Sequence, residues 1–310
     1  MRVLLWHVHG SWTTGFVQGA HEYIVPVVPD RGPDGRGRAQ TWQWPASVVE
    51  LGPGALQDAA PDVVILQRRR DEELLERWTG LRAGRDVPAI WLEHNAPQGR
   101  ISEMRHPAAD RDDVVVCHVT HFNDLFWECG TTRTQVIKHG IVDPGYRYRG
   151  ELPRAAAVIN EAGRRARVTG TDLLERFAGS APVDLFGMDA ARLGGIENLP
   201  QERLHDELGR RRVYLHPIRW TSLGLSLLES MHLGMPVVAL ATTEAPEAVP
   251  EEAGVVSTRV DVLRDAVAAY IAEPDRAREA GLAARRHALE HYGLKRFLAR
   301  WNELLEDVVA

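Results

Sequence analysis

The densest chemistry in the 310-residue chain lies in Pro217–Leu240, PIRWTSLGLSLLESMHLGMPVVAL. An apolar run ends at His216, a turn follows at Gly224, and Leu225, Leu228, Glu229 and His232 then recur at helical spacing until Gly234. A helix that opens behind a glycine turn gathers unpaired backbone N–H groups and the positive end of its dipole at one spot, a setting for phosphate or sugar diphosphate. Glu229, about one turn into that helix, could accept paired hydrogen bonds from vicinal hydroxyls such as those of a ribose. It would equally serve as a carboxylate that only complements the dipole.

Two other clusters suit the same kind of ligand. Gly163-Arg164-Arg165, with Arg167 close behind, follows an apolar run and precedes Thr169-Gly170-Thr171-Asp172-Leu173-Leu174. Guanidiniums between a strand and a helix can neutralise charge on a departing diphosphate, the alternative being a solvated loop. Near the start, His9-Gly10-Ser11-Trp12-Thr13-Thr14-Gly15 follows the first apolar run. A short glycine loop at the carboxyl end of a first strand stands where doubly wound sheets place ligands, which assigns Gly10 and Ser11 to the site. Trp12 either stacks on a sugar or caps the core.

Other residues are set aside. Cys117, His118 and His121, with His7 and His9, lie on or just after expected strands whose side chains alternate, so no metal site is expected of them. Asp110–Asp113 reads as a polar turn. Gly-x-Ser-x-Gly, Walker and Gly-x-Gly-x-x-Gly motifs are absent, which leaves hydrolase, phosphate-loop and nicotinamide readings without their usual residues. Trp42 and Trp44 in TWQWP either line an acceptor surface or pack in a core.

These residues must be held by an α/β scaffold. Short apolar runs at residues 2–8, 23–28, 63–67, 89–93, 114–119 and 134–138 alternate with helical segments, as strands of a parallel sheet buried on both faces do. The spacing of Leu74, Leu75, Trp78 and Leu81 predicts one crossover helix. After a Gly-Pro-rich break at 140–150, a second series follows at 155–160, 183–186, 213–216, 236–239 and 254–256. The expected domains are 1–147 and 148–290, with 291–310 a C-terminal helix packing back toward the first. Residues 32–38 are expected to be an exposed loop. A net charge of -6 argues against a nucleic-acid partner. No apolar run is long enough to span a membrane, and two cysteines without a paired pattern fit a cytoplasmic setting.

The run Thr221–Glu229, followed by Ser230-Met231-His232-Leu233-Gly234-Met235-Pro236-Val237-Val238, resembles the signature of retaining, GT-B-fold glycosyltransferase family 4. The resemblance implies two Rossmann-like domains facing a cleft. It implies transfer of a sugar from a nucleotide-sugar to an acceptor hydroxyl with retention, without a metal or other cofactor. Glu229 would hold the ribose, and Thr221, Ser222, Leu223, Gly224 and Leu225 would line the donor. Gly187, after the run 183–186, is counted with them.

Gly163-Arg164 and Thr169-Gly170 match the family's Gly-Arg and Lys-Gly, so Arg164, Arg165, Arg167 and Thr169 are placed at the diphosphate. Pro88–Asn95 resembles the strand that ends in a histidine beside the donor sugar, which gives His94 a catalytic place. Val136–Asp143 resembles the segment that closes the first domain. The chain departs from the pattern at Thr221, where the family has its first glutamate, and at Thr169, where it has lysine. Those departures raise the alternative of a sugar-nucleotide-binding protein without turnover; a third reading is a sugar-nucleotide epimerase of the same fold, acting on the donor alone.

Overall fold

The computed structural model describes residues 1–310. The chain divides into two compact units, one of residues 1–142 with 294–310 and one of residues 143–293.

The strands of the first unit are β1 (Arg2–Leu5), β2 (Glu22–Pro26), β3 (Val48–Leu51), β4 (Val63–Leu66), β5 (Ala89–Glu93), β6 (Val115–His118) and β7 (Thr134–Val136). Its helices before the break are α1 (Gly10–Phe16), α2 (Pro53–Leu56), α3 (Arg69–Thr79) and α4 (His121–Phe126). The strands form one parallel sheet in the order β3-β2-β1-β4-β5-β6-β7. Every residue of β4, β5 and β6 is buried, which is why these runs read as continuous apolar stretches. Strand order reverses between β1 and β4, so the carboxyl ends of those strands flank the position where open α/β sheets take ligands.

The second unit holds β8 (Leu152–Val158), β9 (Val183–Phe186), β10 (Arg211–His216), β11 (Val237–Leu240) and β12 (Gly254–Ser257). Its helices are α5 (Ala162–Arg165), α6 (Leu174–Ala178), α7 (Gln201–Arg210), α8 (Leu225–Leu233), α9 (Ala245–Ala248), α10 (Val260–Ala272) and α11 (Pro274–His291). All five strands are parallel, in the order β12-β11-β10-β8-β9. The reversal here falls between β8 and β10, and both clusters of the sequence analysis in this unit follow those strands.

The last helix, α12 (Leu294–Val309), belongs to the first unit. Phe297 and Trp301 on its apolar face meet Trp12, and Trp301 also meets Phe16, edge to face with ring centroids 4.9–6.2 Å apart. Trp12, Phe16 and Trp301 are all nearly fully buried, and truncating such an aromatic to Ala costs about 3–5 kcal/mol.

Two expectations about the first unit need correction. Residues 10–16 are a helix and not a loop, because burial of Trp12, Thr13 and Phe16 stabilises a helical turn there. Residues 32–38 are not uniformly exposed: Gly35 and Gly37 are buried, and Arg36 forms a β-bridge with Val27.

Candidate functional site

In the second unit, the segments that leave β8 and β10 are tied together. The backbone N–H groups of Arg219 and Trp220 donate to Val168 O at 3.0 and 3.1 Å. A Cβ on Gly170 would stand 1.8 Å from Pro217 O, so only glycine lets the two segments approach this closely. Arg219 adds a bidentate pair to Asp172, at 2.5 and 2.9 Å, and a bond to Arg167 O at 2.8 Å. The arginine-rich loop and the entry to α8 are therefore one structure.

The helix start itself is open. Gly224 is the N-cap of α8 with φ -72° and ψ 120°, and Gly224, Leu225 and Ser226 are half-buried while Leu227–Leu233 are buried. The first-turn amides thus lie at an accessible edge of a helix whose remainder is locked in the core. Ser222 and Leu223 are buried just before the turn, and Thr221 is half-buried.

Glu229 is only 6% exposed. Its Oε2 accepts a hydrogen bond from Gln201 Nε2 at 2.9 Å, and His205 Nε2 lies 3.5 Å away. Gln201 and His205 stand four apart on α7, one turn of the same face, and their Nε2 atoms are 2.8 Å from each other. Sequence reasoning missed this pair; the i, i+4 spacing was visible, its target was not.

The guanidiniums differ sharply. Arg164 is paired with Glu161, with Nε to Oε1 at 2.9 Å and Nη2 to Oε2 at 2.5 Å, and remains exposed. Arg167 reaches Asp172 at 3.4 Å from an exposed position. Arg165 is half-buried and makes no ion pair, and burial, then repulsion from Arg164, lowers its pKa. Thr169 is fully buried, with its hydroxyl occupied by Ala166 O at 3.2 Å and Thr171 Oγ1 at 3.1 Å. It shapes the loop that carries the cations. Gly187 follows β9 with φ +133°, where a Cβ would stand 2.3 Å from Ile159 O.

A cavity of about 370 Å³ opens where this loop meets the carboxyl ends of β11 and β12, lined by Arg167, Arg176 and Arg219 against Asp172, with Thr242 and Thr258. A larger hollow of about 540 Å³ lies in the first unit at the amino ends of β5 and β6. Parallel sheets place ligands at the other end, so the smaller, cationic cavity is the chemically relevant one.

In the first unit, His94 leaves β5 within a cluster of aromatic rings. His9 stacks on it at 4.0 Å between centroids, His139 lies at 5.3 Å and Trp12 meets it edge-on at 5.5 Å. Burial lowers the pKa of all three histidines, that of His9 to about 4 and that of His139 to about 3, so the cluster is neutral at pH 7. Sequence reasoning found His94 but not its contacts with His9, which follows β1, and His139, which follows β7. Gly10 opens α1 beside them, and Ser11 lies in its first turn. The buried Glu93 carboxylate meets His106 Nε2 at 3.2 Å. Because His106 Nδ1 accepts from Ala108 N, the neutral ring carries its proton on Nε2 and donates to Glu93.

Cys117 and Cys129 are buried free thiols; burial pushes Cys129 up to about 11 and Cys117 higher still. No three His, Cys, Asp or Glu side chains converge as a metal site would require. No helix is long and apolar enough to cross a membrane.

Residues 193–287 match the family model described as glycosyl transferases group 1. No curated protein matches the sequence. Among solved structures, a sucrose-phosphate synthase from Thermosynechococcus elongatus is similar over 99% of both chains, with TM-score 0.72 and 14% identity. Anabaena HepE in complex with UDP and glucose is similar over 99% of both chains, with TM-score 0.70 and 12% identity. AviGT4, a glycosyltransferase of avilamycin A biosynthesis, is similar over 100% of this chain and 98% of its own, with TM-score 0.64 and 16% identity. The stretch that carries Gly224 and Glu229 thus matches the model of glycosyl transferases group 1, within a chain whose two parallel-sheet units have the GT-B fold of those glycosyltransferase structures.

Proposed function

We propose that this protein is a glycosyltransferase that moves a sugar from a nucleotide-sugar donor to an acceptor hydroxyl, with retention of anomeric configuration and without a metal. The second unit binds the donor. One observation carries the reading: at the β8/β10 reversal, direct hydrogen bonds from Arg219 and Trp220 join the segment that leads into the accessible first turn of α8 to the arginine-bearing loop 163–172. Helix amides and guanidiniums there would share the two phosphates, and Glu229, held by Gln201 and His205, would take the ribose hydroxyls. The UDP-bound structures of HepE, which has the same fold, support this assignment.

As the glycosidic bond to phosphate breaks, negative charge grows on the leaving diphosphate. Preorganised N–H donors and Arg165 stabilise that charge more than they stabilise the intact donor, which lowers the barrier. The departing phosphate takes the acceptor's proton, so no protein carboxylate is needed as base.

A second reading is binding without turnover. It is favoured by Thr169, whose buried hydroxyl puts no cation at the position where the family has lysine. The two separate in one experiment: purified protein is incubated with UDP-, GDP-, ADP- and TDP-sugars, and both thermal shift and release of free nucleotide are followed. A donor that stabilises the fold and is turned over supports the transferase. Stabilisation without release under any acceptor supports the silent binder, and no stabilisation by any donor refutes both.

A further inference from the structure

We propose that His7 and Trp42 form a niche above Gly10 that binds one hydroxyl of a carbohydrate or similar polyol, and that this is where the acceptor is held. The word acceptor rests on the transferase reading; the niche does not.

The orientation of His7 follows from its partner. Its Nδ1 lies 2.9 Å from Gly37 O, and a carbonyl can only accept, so Nδ1 carries the proton. Nε2 is then a lone-pair acceptor. Trp42 offers the complement: its indole Nε1–H makes no hydrogen bond within the protein. The two nitrogens converge on one place, because a Cβ built on Gly10 would stand 3.6 Å from His7 Nε2 and 3.8 Å from Trp42 Nε1. A hydroxyl slightly farther out than that Cβ accepts from the indole and donates to the imidazole. The niche is made by these side chains and not by the helix amides of α1.

The frame around it is rigid. Trp44 packs against His7 with centroids 4.8 Å apart and is pinned by its own N–H to Thr14 Oγ1 at 2.8 Å. Arg38 donates to the carbonyls of Trp44, Pro45 and Val48 at 2.6, 3.0 and 2.5 Å, which fixes the turn after Trp42. Gly10 follows β1, at the β1/β4 reversal of the first sheet, and the half-buried Trp42 ring adds an apolar face on which a sugar ring can stack. Burial, with the neighbouring Arg36 charge, lowers the pKa of His7 and keeps it a neutral acceptor.

Gly10→Ala tests this without disturbing the fold, since both contacts of the new methyl are ordinary van der Waals distances and φ is not positive. Protein labelled with 15N-tryptophan is titrated with methyl α-D-glucopyranoside and with glycerol, the Trp42 indole resonance being identified by its loss in Trp42→Phe. The expected result is a saturable shift of that resonance in the wild type, with the dissociation constant raised at least tenfold in Gly10→Ala and in His7→Phe. No saturable shift in the wild type, or equal affinity in Gly10→Ala, overturns the niche. Calorimetry with nucleotide-sugars on the same samples keeps the two claims apart. Donor binding with a silent niche refutes this inference alone. A responsive niche without donor binding refutes the transferase reading and leaves the polyol site standing.

Discussion

His216 Cε1 lies 2.6 Å from the point where a Cβ on Gly224 would stand. The imidazole is buried, its Nδ1 has no partner, and burial lowers its pKa to about 4, so a neutral ring is wedged against the turn that opens α8. That contact, and not a positive φ, is why the turn is glycine. Gly224→Ala should push the ring or the helix start aside, costing about 1–3 kcal/mol of stability and at least tenfold in donor affinity. His216→Ala in the same chain should restore part of both, a coupling that a double-mutant cycle measures. Additive effects would show that the two residues act separately.

Arg165 and Arg164 should separate in their effects. A half-buried cation that no carboxylate pairs directly, with Glu161 acting on it only in part, is held at a cost that an anionic ligand offsets, whereas Arg164 is paired with Glu161. Arg165→Ala is expected to leave the melting temperature unchanged or raised and to weaken nucleoside diphosphate binding about tenfold or more. Arg164→Ala is expected to weaken it less. Calorimetry of both variants checks the order; a larger loss in Arg164→Ala would move the diphosphate to the exposed side of the loop.

Glu229 should behave as a shared anchor. Glu229→Ala takes the carboxylate away from half-buried Gln201 and buried His205, for which about 1–3 kcal/mol of stability is expected to be lost, along with most donor affinity. Gln201→Ala should weaken donor binding severalfold by removing one of the groups that orient the carboxylate, while costing less stability. Retained donor affinity in Glu229→Ala, with the fold intact, would remove the carboxylate from the site.

Acid should unfold the protein through its histidines. His9, His118, His139 and His216 are all lowered by burial, to about 4, 4, 3 and 4, from the 6.5 of a free imidazole. The unfolded chain therefore binds protons first. Stability is full above about pH 6.5 and is lost as pH falls toward 4, by up to about 3 kcal/mol for His216 alone. Urea unfolding at pH 7, 6 and 5 should show a steady fall; a flat profile would mean that these rings are not held neutral.

Much of this was legible in the sequence because it is locally encoded. Buried parallel strands appear as apolar runs, and Gly224, the α8 periodicity and the Gly-x-Pro-Val-Val strand are contiguous features. What stayed hidden depends on distant segments meeting. β3 escaped notice because Val49 is exposed on an edge strand, which leaves a short mixed pattern. α10 was missed because its alanine-rich apolar face has little contrast with its outer one. The Gln201–Glu229 bond spans 28 positions, His9, His94 and His139 come from the segments after three different strands, and His7 meets a carbonyl 30 positions away, so none of these pairings shows in local spacing.

The most direct measurement is a calorimetric titration of the purified chain with UDP-, GDP-, ADP- and TDP-sugars, repeated with Gly224→Ala and Glu229→Ala. One donor should bind with a dissociation constant at or below about 0.1 mM and lose at least tenfold in both variants, the fold being verified by circular dichroism. Wild-type affinity in both folded variants, or no heat from any donor, would contradict the assignment of the α8 opening as the donor site.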